Sequence, residues 1–257
     1  MKKLLIIFLL ATAFTASAVS PAAQADSAYI REQYGQAIEL YNKLLREYGP
    51  DAEVYYNLGN AYFRNDNPGR AVLAYERSLR IDPSNADARH NLAFVRARLD
   101  DRPEDDSSFL SNLNMSIMSI MSANAWAITA LVIFVLVLGC VALYIFPNIV
   151  WMRKVGFFGG IVLIFIFIYA LTLAFLSAAR ARSHDEAVVI APSTYLSSAP
   201  RAPRNADEHA VALHAGTVVE IIDSVPTPDD AVSPMWYNVK LNNSTRAWLR
   251  SSDVERI

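Results

Sequence analysis

One cysteine, four histidines and few charges set the first limits on this chain. Cys140 alone can form neither an intramolecular disulfide nor a multi-cysteine zinc site. His90, His184, His209 and His214 are scattered, without the spacing that puts two imidazoles on one helical face. Charged residues make up 19% of the 257, below the roughly one quarter of an ordinary soluble domain. The deficit is local, because no Asp, Glu, Lys or Arg occurs between Asp106 and Arg153. Lys and Arg number 23 against 25 Asp and Glu, which leaves no basic stripe for nucleic acid. The carboxylate pairs Asp207-Glu208 and Asp229-Asp230 fall in loop-like sequence, with no apolar surroundings to raise a pKa. These absences point to a non-enzymatic protein with no cofactor and no metal.

The N-terminus has the layout of a targeting segment. Lys2 and Lys3 precede an apolar run over residues 4–14, and Ala23-Gln24-Ala25 supplies small residues at the −3 and −1 positions of a signal-peptidase site. The apolar run is short for a membrane span, which needs about 20 residues. Residues 1–25 therefore read as a signal peptide cut after Ala25, a retained anchor being the other reading.

Beyond it the chain repeats. A shift of 34 residues brings Ala37 onto Ala71, Tyr41 onto Tyr75 and Asn57-Leu58 onto Asn91-Leu92. Within residues 52–85, Tyr55, Leu58, Gly59, Tyr62, Ala71, Tyr75, Ser78 and Pro83 occupy one pattern of fixed spacing. Gly59 and Ala71 are small enough to let two antiparallel helices approach, while the tyrosines and Leu58 fill the remaining space. Asn67-Pro68-Gly69 reads as the turn between them, and Pro83 stops the second helix. Residues 26–99 thus resemble the tetratricopeptide (TPR) family. About one and a half to two repeats and a cap are expected, with the first helix shortened to residues 27–32 by the cut. The resemblance implies an all-α module that binds proteins or peptides in a concave groove. Its helix A positions would be Tyr56, Asn57, Asn60 and Arg64, then His90 and Asn91, the asparagine amides being able to donate to and accept from a peptide backbone.

Residues 100–123 form an acidic linker followed by a stripe of Phe109, Leu113, Ile117, Ile120 and Met121, which reads as an interfacial helix or an extension of the next one. Two transmembrane helices are expected at 124–146 and 155–179, joined by a loop at 147–154. Gly156 and Gly160 make a small-xxx-small pair suited to helix packing. Arg153 and Lys154 are balanced by Arg180 and Arg182, so the positive-inside count is tied. An exported TPR module makes the loop cytoplasmic and returns the C-terminus to the outside.

From Ala187 the pattern changes to period 2. Strands are expected at 187–190, 217–222, 235–241 and 246–249, then a 3₁₀ turn over 251–254 and a last short strand. The run Leu213 to Val219 and the late Trp248-Leu249 make residues 183–257 resemble the bacterial SH3-like family, implying a small five-stranded all-β barrel. Trp236 and Trp248 read as core, although with Tyr195 and Tyr237 they would also serve as an aromatic face.

The order of parts, with Tyr55-Tyr56-Asn57-Leu58-Gly59-Asn60-Ala61-Tyr62-Phe63, is similar to BatE-type proteins of the Bacteroides aerotolerance (Bat) system. That resemblance implies a multidomain membrane scaffold or chaperone-like adaptor in the periplasm, tethered to the bacterial inner membrane and linked to stress tolerance. Its partners would be Bat-type membrane proteins with von Willebrand factor A domains and, indirectly, a MoxR-type ATPase. The alternative is a peptidoglycan-binding membrane protein that recruits a hydrolase through its SH3-like part.

Overall fold

Short polar side chains start most helices of the N-terminal third. In the computed structural model, which describes residues 20–99, 101, 109–183, 185–202, 209–227, 235–241 and 246–257, α1 (Pro21–Ile30) begins on Ser20 and α2 (Tyr34–Tyr48) begins without a side-chain cap. Next, α3 (Ala52–Arg64), α4 (Pro68–Ile81) and α5 (Ala86–Arg96) begin on Asp51, Asn67 and Asn85. Each capping oxygen accepts from the N–H three residues on, meeting a donor that the first turn leaves unpaired. Glu32 (φ 61°) and Asp66 (φ 57°) are left-handed, one repeat period apart, in the turns that follow α1 and α3. The repeat is therefore written in the backbone as well as in the side chains.

The first helix is longer than the sequence suggests. α1 runs the full Pro21–Ile30, with Ala25 and Ala28 buried against Ala37, Tyr41 and Leu44 of α2, and Tyr41 donates to Asp26 at 2.7 Å. A cut after Ala25 would divide this helix. Residues 1–19 of the expected signal peptide at 1–25, residues 100 and 102–108 of the expected linker, and both carboxylate pairs lie outside the described residues.

The apolar region is a helical hairpin. α6 (Phe109–Met118) is a separate helix, ended by a turn before α7 (Ala123–Ile145) begins on Ser122. Two side-chain contacts tie it to α8 (Val150–Arg182), with Tyr169 3.3 Å from Asn114 and Arg180 3.1 Å from the Met115 sulfur. Both α7 and α8 are long and apolar enough to cross a membrane. The expected loop at 147–154 shrinks to residues 146–149, because α8 takes Arg153 and Lys154 into its first turns. There Arg153 donates to the Tyr144 carbonyl at 3.2 Å, closing the end of α7. A Cβ on Gly156 would sit 2.6 Å from the Cys140 carbonyl, so the glycine lets α8 press on the α7 backbone. The small-residue pair is thus used within the chain, and Cys140 packs against it.

The C-terminal region is one curled antiparallel sheet, half a barrel, rather than a closed five-stranded one. Its strands are β1 (Glu186–Val189), β2 (Ser193–Ser197), β3 (His209–His214), β4 (Val218–Pro226), β5 (Met235–Lys240), β6 (Arg246–Arg250) and β7 (Val254–Arg256). They pair in the order β3-β2-β6-β5-β4-β1-β7, with β3 and β7 at the edges. Ala187, Val189, Leu196, Leu213, Val219, Val239 and Leu249 fill the concave side. A 3₁₀ turn (Ser251–Asp253) precedes β7, as expected. Trp236 is fully buried, whereas Trp248 is only half-buried.

Candidate functional site

The helical module and the sheet share a core, and this decides which surfaces remain open. Val188 of β1 and the C-terminal Ile257 are buried among Ala71, Val72, Tyr75, Leu92 and Val95 of α4 and α5. Alternation explains the arrangement: Ala187 and Val189 point into the half-barrel, so Val188 points out of it onto α4. Two glycines permit the approach. A Cβ on Gly69 would lie 2.9 Å from Ala215 Cβ and 3.1 Å from the Val189 carbonyl. Gly216 has φ +96°, and a Cβ there would meet Leu99 at 2.6 Å. Ion pairs rim the seam, with Arg77 to Glu255 at 2.9 Å and Arg80 to Glu186 at 2.7 Å. Arg80 also donates to the Ser183 carbonyl, and Arg77 donates to the Arg256 carbonyl at 2.5 Å.

The segment leaving α5 is fastened to the sheet as well. Asp101 accepts from the His214 N–H at 2.6 Å and from the Thr217 hydroxyl at 2.8 Å, and lies 2.9 Å from His214 Nδ1. Burial alone would raise its carboxyl, but the His214 and Thr217 hydrogen bonds outweigh burial and hold it below the ordinary value.

Because the sheet covers α4, it leaves the α3 and α5 face of the repeat open. The six groove residues divide into three groups. Asn60 Oδ1 accepts from the Tyr75 hydroxyl at 2.7 Å and from Asn91 Nδ2 at 2.9 Å. Tyr56 tilts against the Tyr75 ring at 6.2 Å, and burial pushes the Tyr75 phenol upward. Asn91 therefore belongs to the hydrogen-bonded network around Tyr75 as well as to the expected groove positions. Arg64 is exposed but engaged, donating twice to the Tyr34 hydroxyl at 2.8 and 3.1 Å. The side chains of Asn57 and His90 have no hydrogen-bond partner among the described residues. Beside them Phe94 is 43% exposed, edge-on to Phe63, with the Arg98 guanidinium over its ring. The α3 and α5 helices thus carry an amide, an imidazole, a phenyl ring and a cation, groups that suit an extended peptide. Among the described residues no three His, Cys, Asp or Glu side chains converge as a metal site.

A second feature has no counterpart in the sequence reading. A pocket of about 490 Å³ lies where α4, α5, α6, α8, β1 and β4 meet. Arg89 and Arg96 of α5 line it together with Met115 and Met118 of α6 and Ser177 and Arg180 of α8.

The helices and their groove define a helical-repeat binding module, joined to a small sheet and an apolar hairpin. Comparison with known proteins agrees for the repeat. Residues 22–86 match the tetratricopeptide repeat family. An 88-residue stretch, 34% of the chain, is 33% identical to the peroxisomal targeting signal receptor of Kluyveromyces lactis, and spans 15% of that receptor's length.

Proposed function

We propose that the chain is a non-enzymatic scaffold or chaperone-like adaptor, tethered to the bacterial inner membrane by α7 and α8. Its TPR module and SH3-like sheet lie in the periplasm, with the 146–149 turn in the cytoplasm. The carrying observation is the division of the TPR surface: the sheet seals the α4 side, and the α3/α5 side keeps Asn57, His90 and Phe94 available. Matching residues 22–86 to a family of repeats supports protein or peptide capture, as does similarity to a protein named as a receptor for a targeting signal. The tested ligands would be Bat-type membrane proteins with von Willebrand factor A domains, working with a MoxR-type ATPase in stress tolerance.

Capture by the full chain in detergent tests the groove. Asn57→Ala should weaken binding about two- to twelvefold, the loss of one neutral hydrogen bond, without changing the thermal melt. Asn91→Ala should lower both, because its amide holds Asn60. Unchanged capture by Asn57→Ala with His90→Ala would move the contact to another surface. Reporters active only in the periplasm should respond when fused after Leu99 or Ile257 and stay silent at the 146–149 turn; the reverse pattern would reject the orientation.

A further inference from the structure

The pocket between the repeat, the hairpin and the sheet has the chemistry of a phosphate site with an apolar wall. Four arginines reach it, and two are neutralised there: Arg80 by Glu186 and Arg96 by Glu76. The other two keep their charge. Among the described residues Arg89 donates only to carbonyls, those of Pro83 at 2.6 Å, Ser119 at 3.0 Å and Ser84 at 3.5 Å. The Arg180 guanidinium makes one hydrogen bond among the described residues, to the Met115 sulfur. At the pocket wall Ser177 is 94% buried, since its exposure is 6%, and its hydroxyl has no partner among the described residues. Buried hydroxyls are nearly always hydrogen-bonded, so this one points to an acceptor that completes the site. Leu92 and Met118 supply apolar wall.

The pocket's height along α8 selects among phosphate compounds. α8 has 33 residues, about 50 Å of helix, against a hydrocarbon core of about 30 Å. Starting from Lys154 at one surface, about 20 residues bring the helix to the other, just short of Ser177 and Arg180. Unpaired guanidinium groups then stand at headgroup level beside an apolar wall. Guanidinium forks match phosphate oxygens in geometry and charge.

We infer that this pocket holds the phosphate of an anionic phospholipid, with Arg89 and Arg180 as its cations, Ser177 as a hydroxyl donor and the leucine and methionine wall against the first carbons of an acyl chain. The inference rests on reading α7 and α8 as membrane spans. Full-length protein in dodecyl maltoside, titrated with dioleoyl phosphatidylglycerol or dioleoyl phosphatidylcholine and read by native mass spectrometry, tests it. Phosphatidylglycerol should be retained at one molecule per chain and phosphatidylcholine more weakly. Arg180→Gln should cut retention about tenfold, as expected for one charge-assisted contact, and Ser177→Leu should cut it by filling the wall without altering charge. Because the Arg180 side chain is exposed and its one hydrogen bond among the described residues is to the Met115 sulfur, its variant should melt like the parent. Equal retention of the two lipids, or undiminished phosphatidylglycerol in both variants, would overturn the assignment. Displacement of the lipid by millimolar inorganic phosphate would overturn it in favour of a free-ion site. Alkaline carbonate extraction reads the spans separately: release of the chain from membranes rejects the spans and the lipid with them, whereas retention with failed lipid binding rejects the pocket alone.

Discussion

The sharpest conformational demand on single residues falls on Glu32 and Asp66. Both are left-handed after the first helix of a repeat, a region where a side chain costs roughly 1–2 kcal/mol. Glycine escapes that cost but loses more freedom on folding. Glu32→Gly should therefore give a net gain of about 0.5–1 kcal/mol. The thermal midpoint of the full chain should rise by about 1–3 °C, and a fall would show that the Glu32 side chain carries an interaction that outweighs its backbone. Asp101 gives the residue scale a pH signature. Its carboxyl is held below the ordinary value of 3.8, so the docking it supports is fully present above that value and is lost as pH falls through the lower folded one. The His214 amide proton, which donates to this carboxylate, should titrate in NMR spectra with a midpoint below 3.8. Asp101→Asn should remove that step; a midpoint at or above the ordinary value would contradict the hydrogen-bonded geometry.

At the scale of elements, the repeat was legible and the seam was not. Tyr55, Leu58, Gly59, Ala71 and Tyr75 sit at spacings that only one helical packing uses, and the Tyr75 ring lies directly over Gly59, where a Cβ would be 2.6 Å away. α7 and α8 were legible because a long uncharged run has few other uses. β2 and β3 were harder to read, since STYLS is short with serine at both ends and HAVALH has a uniformly apolar interior without alternation. Arg80–Glu186 and Gly69–Ala215 join residues more than a hundred positions apart, and no local period encodes such a contact. For the same reason the groove positions could be named while the bonding of Asn60 to Asn91 could not. The seam depends on α4 serving two neighbours, α3 on one side and β1 on the other. Gly69→Val should strain it, because the added atoms meet the Ala215 side chain and the Val189 backbone. Overpacking of this kind costs about 1–3 kcal/mol. Hydrogen exchange in β1 and around residues 214–217 should accelerate, while α1 and α2 stay protected. Uniform acceleration would mean that the whole chain unfolds as one unit.

At the scale of the molecule, the shared core means that the three regions are not beads on a string. The hairpin brings the start of α7 and the end of α8 together, so repeat and sheet meet at one end of it, where Arg89 reaches Ser119 and Arg80 reaches Ser183. The sheet fills its own concave side but leaves Val188, Ile257 and part of Val218 to be covered by α4 and α5. Full burial of a valine or isoleucine side chain contributes about 1.5–3 kcal/mol, so losing the cover from Val188 and Ile257 removes about 3–6 kcal/mol. A small domain has only about 5–15 kcal/mol in total. Residues 183–257 expressed alone should therefore be marginal: unfolding at much lower denaturant than the sheet within the full chain, and binding a hydrophobic dye. Adding residues 20–101 in trans should quench the dye, because Arg77, Arg80, Gly69 and Asp101 all lie on that piece and meet the sheet directly. A fragment that melts cooperatively at the full-chain midpoint would show that the concave core suffices, and that the repeat and the sheet merely touch.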